Sequence, residues 1–366
     1  MIELTKFVKE IAKKEEVCID NIVFRLHSRA TVLILTVCAI IVGVKSYFGE
    51  PISCFTNDGD QTIPKDVINS YCWVTNTFTV LQNVPGVEGI HHAGLGVTNV
   101  GGGATIDQQY YKWVCFVLAL QAIFFYAPRA LWGVWERNTL NLLSKDLASP
   151  IPEESWTDKR RAQLISYFVN INQRSQNFYA IRFSICELMN LIITVSQIYF
   201  INIFLDGEFS LYGPAVMGFM SASKNEHMIS PMTRVFPLKA KCSIFVFGAS
   251  GTVQNFDALC VLPLNVVNEK LFVFFWFWYI FLSIAGTLAI IYRVLVFTQP
   301  WARLYLLRAQ TRINSRKKLE TLVDTLNFGD WFLLNQLAEN VSPIVYRELV
   351  DQLATEVSSK QFEAHA

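Results

Sequence analysis

Charge is scarce in this chain and has no preferred sign. Asp, Glu, Lys and Arg make up 17% of 366 residues, with 31 basic and 30 acidic side chains. A nucleic-acid binder needs a basic face, commonly with aromatics between the basic residues, and no such patch is present. A cleavable leader is also missing. Residues 1–29, MIELTKFVKEIAKKEEVCIDNIVFRLHSR, are charged throughout and contain neither an apolar core nor a small-residue cleavage site, so this segment is expected to stay in the mature protein. No Cys-x-x-Cys pair occurs, which removes the spacing that zinc sites commonly use. The glycine-rich run GLGVTNVGGGA, Gly94–Ala104, lacks the Gly-Lys-Ser/Thr ending of a phosphate-binding loop and reads as a flexible surface loop. His91 and His92 are adjacent, which alone is weak ground for a metal or pH-sensing site, and they read as solvated loop residues. No nucleophile and base carry a local catalytic signature. No enzymatic activity, metal or cofactor is expected.

Apolar residues are what the chain does have. They make up 52% of it, including 28 Phe, and the mean hydropathy is +0.32. Four segments are long and apolar enough to cross ~30 Å of hydrocarbon, which takes ~20 residues. They are expected at 30–48, 110–133, 181–205 and 271–297. The third is the most interrupted, by Glu187, Asn190, Gln197 and Asn202. Basic residues beside the spans set the orientation. Lys6, Lys9, Lys13, Lys14, Arg25 and Arg29 precede the first span. Arg137, Lys145, Lys159, Arg160, Arg161 and Arg174 lie between the second and third. Arg303, Arg308, Arg312, Arg316, Lys317 and Lys318 follow the fourth. Residues 1–29, 134–180 and 298–366 are therefore expected in the cytosol, with loops 49–109 and 206–270 outside.

That topology sorts the eight cysteines. Cys18 falls in the cytosolic N-terminal segment, and Cys38, Cys115 and Cys186 fall in spans. Cys54, Cys72, Cys242 and Cys260 fall two to each outer loop, and both pairs enclose 17 residues. An even set in an oxidising compartment reads as disulfides, although four cysteines allow three pairings. The matched intervals suit two antiparallel, hairpin-like segments bridged at both ends, Cys54 to Cys260 and Cys72 to Cys242. Neither outer loop carries an Asn-x-Ser/Thr sequon, which suits a surface that approaches another protein closely.

Other features admit two readings each. Leu4, Phe7, Val8 and Ile11 form one stripe of a helix over residues 2–14, which suits either a membrane-surface helix or a helix packed on the first spans with its polar side towards a pore. Pro128 removes a backbone donor near the cytosolic end of the second span, giving a gating hinge or a fixed bend. Glu187, with Asn190 one turn on, is costly in hydrocarbon and must face protein or water. It either lines a conduit or pairs with Arg182 or a neighbouring subunit. Tyr47, Tyr110, Tyr111, Trp113, Trp132 and Trp135 suit interfacial belts. Trp276, Trp278 and Tyr279 read as lipid-facing and subunit-packing surface. The tail after the fourth span has helix-period apolar residues, with Gly329–Asp330 as a break and N-cap candidate and Pro343 as the start of another helix. With residues 140–180 it is expected to form a packed dome.

The second span opens YYKWVCFVLALQAIFFYAPRALW. This resembles the Tyr-Tyr-Gln-Trp-Val signature of the innexins, the invertebrate gap-junction proteins related to vertebrate pannexins. Tyr110, Tyr111, Trp113 and Val114 match, Pro128 follows, and Lys112 stands where Gln is commoner, a position from which a lysine can snorkel to the interface. YCWV at Tyr71–Val74, FLDGEFSLYG at Phe204–Gly213, CVLPLNVVNEK at Cys260–Lys270 and GDWFLLNQL at Gly329–Leu337 are similar to innexin sequence as well, so the resemblance covers nearly the whole chain.

The resemblance implies an all-α polytopic membrane protein. It would have four transmembrane helices, two disulfide-linked extracellular loops, a cytoplasmic helical dome and an N-terminal pore helix. Loop one would be bonded to loop two, in line with the antiparallel scheme. Met1, Ile2, Thr5, Lys6 and Lys9 would lie near the constriction. Subunits would form a homo- or hetero-oligomeric ring in membrane lipid, octameric in at least one family member, and dock on a ring of the apposed cell at plasma-membrane gap junctions. Ions and small metabolites would pass. A four-span adhesion or scaffold protein is the alternative, but tetraspanins and claudins have other cysteine patterns. A subunit that conducts only in mixed rings is a further one.

Overall fold

The computed structural model describes residues 17–56, 64–80, 95, 105–145, 147, 156–170, 173–221, 230–311, 313 and 315–365. The expected pore helix with Met1, Ile2, Thr5, Lys6 and Lys9 lies outside them, as do His91, His92 and most of the glycine-rich run. In chain order the elements are α1 (Ile22–Tyr47), β1 (Ser53–Thr56), α2 (Lys65–Val74), β2 (Thr77–Val80), β3 (Thr105–Gln108), α3 (Val114–Glu136), α4 (Thr139–Ser144), α5 (Asp158–Asn170) and α6 (Gln173–Phe204). There follow α7 (Phe209–Ser221), α8 (Pro231–Val235), β4 (Lys239–Phe247), β5 (Val253–Val261), α9 (Pro263–Thr298), α10 (Pro300–Thr311), α11 (Arg316–Thr325), α12 (Phe328–Ala338) and α13 (Pro343–His365).

Among the described residues, α1, α3, α6 and α9 are long and apolar enough to cross a bilayer. Helices α6 and α9 start well before the apolar runs inside them, at Gln173 and Pro263. Apolar content marks where hydrocarbon is crossed, whereas backbone hydrogen bonding carries a helix on into polar sequence; Pro263, with its preset φ, opens α9. Helix α1 passes through a π-helical turn at Leu26–Ala30. There Ser28 Oγ donates to Phe24 O (2.9 Å) and Thr31 Oγ1 to Leu26 O (2.8 Å), so the hydroxyls return to the helix's own carbonyls. Helix α3 is continuous through Pro128.

The chain separates into two compact units. One comprises Val32–Ile123 and Thr194–Phe281 and is centred on a five-stranded antiparallel sheet of order β1-β5-β4-β2-β3. Strands β4 and β5 form a hairpin, closed where Gly248 N donates to Thr252 O (2.8 Å) and Gly251 takes φ +75°. Ala240, Cys242 and Ile244 alternate inward along β4, and Ala258 and Cys260 along β5. The segment from Cys54 to Cys72 departs from the hairpin-like form that its equal length suggests. It supplies the strand β1 and then the helix α2, because Ile68 and Cys72 recur at a spacing of four and bury one helical face. Asn69 Oδ1 accepts from Cys54 N (2.8 Å), which fastens α2 to β1.

The other unit comprises Met1–Thr31, Phe124–Ile193 and Leu282–Ala366, and its described residues form helices and their connections. Its core includes Leu143, Leu164, Phe168, Leu307, Leu322, Leu337, Leu349 and Leu353 from α4, α5 and α10–α13. The N-cap of α12 is Asn327, two residues ahead of the expected Gly329–Asp330 break; Asp330 Oδ2 accepts from Asn327 N (3.3 Å). Gly329 is selected by contact. Its N–H donates to Asn177 Oδ1 (2.8 Å), and a Cβ there would meet the backbone of Gln176 and Asn177 in α6.

Candidate functional site

The four cysteines of the sheet unit lie on inward positions of strand and helix. Register places Cys54 opposite Cys260, and these two are bonded; Cys72 of α2 is bonded to Cys242 of β4. All four are buried, none above 2% exposed. Sulfurs of Cys54, Cys72 and Cys260 lie within 4.8 Å of one another. Sulfur in a disulfide is no thiolate, so this grouping is a pair of neighbouring bridges and offers no ligand set for zinc. The bridges join β1 and α2, from the chain between α1 and α3, to the hairpin between α6 and α9. Both inter-helix segments are thereby fixed to one body.

The Tyr110–Val114 stretch packs into that body. Tyr111 is buried, with its ring 5.1 Å from that of Trp73 and its hydroxyl 3.3 Å from Thr77 Oγ1. Tyr110 accepts from Asn265 Nδ2 (2.9 Å), which also donates to Pro237 O (2.8 Å). Lys112 reaches back to α2: Nζ donates to Val74 O (3.2 Å) and Thr75 O (3.1 Å), at the C-terminal end of that helix, where unpaired carbonyls favour a cation. Val114 is buried and Trp113 exposed.

The interfacial-belt reading needs correction for Tyr111 and for Trp132, which is buried and donates Nε1–H to Ile19 O (3.2 Å). Trp113 and Tyr47 remain exposed. Trp135 lies under the Arg182 guanidinium at 5.8 Å. In the Trp276–Tyr279 cluster, Tyr279 is buried and donates to Gln121 Oε1 (3.2 Å), while Trp276 covers Gly213. Aromatics with a polar handle go inward wherever a partner is in reach, and composition near a span end does not reveal the partner.

In the helical unit, Glu187 of α6 makes a two-pronged ion pair with Arg293 of α9, at 2.7 Å to Nε and 2.9 Å to Nη2. Asn21 Nδ2 donates to the same carboxylate at 2.5 Å. The guanidinium lies 5.1 Å from the Phe183 ring centroid and 4.8 Å from that of Phe332. Both charges are almost wholly buried, and this geometry offsets the desolvation that either would suffer alone. Within this chain the partner is therefore Arg293 and not Arg182. Asn190, one turn on, is buried as well, and Pro128 is buried in α3. Sequence reading missed Arg293 and Asn21. An arginine inside an apolar run, opposite in sign to Glu187 in another, was the available signal.

Large apolar side chains stand exposed along all four long helices, among them Ile41, Phe116, Ile123, Ile192, Tyr199, Ile284, Leu288 and Ile291. Such surface requires lipid or other subunits against it.

The family model for innexins matches residues 20–357. The chain belongs to the innexin family. It is 44% identical to innexin inx2 of Drosophila melanogaster, over 100% of this chain and 98% of the relative. It is 43% identical to innexin inx2 of Schistocerca americana, over 99% of each. Identity to innexin shaking-B of Drosophila melanogaster is 38%, over 99% of this chain and 96% of the relative. Innexins form the gap-junction channels of invertebrates, and this innexin is a channel subunit of four membrane-crossing helices with two disulfide-bonded inter-helix segments.

Proposed function

We propose that this innexin forms a plasma-membrane ring, octameric and homo- or hetero-oligomeric, that docks on a ring of the neighbouring cell and passes ions and small metabolites down their gradients. The observation that carries this reading is the single sheet built from both inter-helix segments and closed by two buried disulfides. Disulfides belong to an oxidising compartment, and the flanking basic residues put the other segments on the opposite side, so loops 49–109 and 206–270 face outward and both termini face the cytosol. A bridged sheet is stiff, as a docking rim must be. Met1, Ile2, Thr5, Lys6 and Lys9 lie near the constriction in this scheme, where size and charge decide passage. Pro128 makes a fixed bend leading into the dome.

Expression of this chain alone in single and in paired cells tests the proposal. The expected result is dye or current passage in both, with Cys54→Ser or Cys260→Ser abolishing passage between cells. Normal coupling by these variants removes the docking role of the bridges. Adhesion without conductance favours a scaffold. An image of purified particles down the ring axis counts the subunits and shows whether there is a central opening.

A further inference from the structure

Four consecutive residues ahead of α1 each make a different long-range polar contact within the helical unit. Cys18 pairs through its backbone with the Asn340 side chain: Cys18 N donates to Oδ1 (2.5 Å), and Nδ2 donates to Cys18 O (2.8 Å). Ile19 O accepts from Trp132 of α3. The Asp20 carboxylate, 1% exposed, is 2.5 Å from Arg129 of α3 and 3.8 Å from Arg29 of α1. Asn21 caps α1 by accepting from Phe24 N (2.7 Å) and donates to the Glu187 carboxylate, which holds Arg293 of α9. Asn340 itself sits in the turn between α12 and α13, buried, with a further bond to Gln336 O (2.9 Å).

We propose that Cys18–Asn21 is a tie through which α12 and α13 position all four long helices, and that Asn340 is its positioning residue on the C-terminal side. The tie is short, spanning at most ~14 Å at ~3.5 Å per residue. Its contacts are at least partly buried, and those of Asp20 and Asn21 are charge-assisted, so it transmits displacement with little slack; moving one end breaks several bonds at once. The amide of Asn340 matches a backbone N–H and C=O together, a pattern that no carboxylate or aliphatic side chain reproduces. The consequence is that a change in the C-terminal helices reaches the Glu187–Arg293 pair, and with it the set of the helices in the membrane.

The test is hydrogen–deuterium exchange on the purified full chain, wild type against Asn340→Ala. Peptides covering residues 17–26 should exchange about tenfold faster in the variant, the effect of losing buried hydrogen bonds, with the β4–β5 hairpin unchanged. Faster exchange confined to residues 336–345, or no change, overturns the proposal. A second arm rests on the channel reading. In conducting cells, Asn340→Ala and Glu187→Gln should each change the steady-state current per channel, and the double variant should change it no more than the larger single one; additive changes overturn the tie. Exchange needs no current, so a subunit that is silent on its own still answers the first arm, and the two readings fail separately.

Discussion

At the scale of single residues, the Glu187–Arg293 pair and Asp330 give opposite lessons about buried charge. Removing one partner of a buried pair strands the other, at ~3–5 kcal/mol. Arg293→Met is therefore expected to lower the unfolding temperature of the detergent-purified protein sharply, and the exchange Glu187→Arg with Arg293→Glu to recover part of the loss; an unaltered melt in the single variant counts against the pair. Asp330 has no ion-pair partner among the described residues. Burial pushes its carboxyl up to about 6, opposed by the Asn327 N–H. The folded value lies above the ~3.9 of an unfolded Asp, so its contribution to stability is full below about pH 4 and is lost as pH rises through about 6. Asp330→Asn still accepts from Asn327 and does not ionise. It should flatten that fall in a pH series of thermal melts, and a slope like the wild type's would refute the assignment. The sequence made Glu187 visible as an expensive residue, but its partner lies 106 positions away, a separation over which no local pattern runs.

Elements show where periodicity speaks and where it is silent. The four long helices are legible because an apolar run of that length has few other uses, and α13 because Pro343 announces it. The start of α12 falls two residues earlier than expected because Gly329, which reads as a break, is a close approach to α6. Gly329→Ala is expected to destabilise by ~1–3 kcal/mol, since backbone atoms of Gln176 and Asn177 must give way. Asn327→Ala should cost ~1 kcal/mol through the lost cap. Calorimetry of the two variants ranks them, and an Ala at 329 that stabilises would mean α6 yields freely there. Equal spacing of the cysteines suggests two similar segments; it carries no information on backbone form, and Cys54–Cys72 is strand and helix where Cys242–Cys260 is a hairpin.

For the whole molecule, the bridges are expected to matter as a pair. Each ties segments far apart in the chain, a separation of 206 residues for Cys54–Cys260 and 170 for Cys72–Cys242. Replacing both Cys72 and Cys242 by Ser should cost ~2–4 kcal/mol, read as a lower melting temperature with Cys54–Cys260 intact by mass spectrometry; an unchanged melt would make that bridge dispensable. Strand order was beyond the sequence, because it is set by which surfaces meet after the helices have folded. That order, β1-β5-β4-β2-β3, places the late hairpin between two strands made long before it. During synthesis β1 and β2 leave the ribosome with residues 81–238 still to come before the β4–β5 hairpin that separates them, so Cys54 and Cys72 emerge well ahead of their partners. Oxidation ahead of β4 and β5 would join Cys54 to Cys72 and shut the hairpin out. A Cys54–Cys72 bond formed that early has to be exchanged before Cys260 and Cys242 can take their partners.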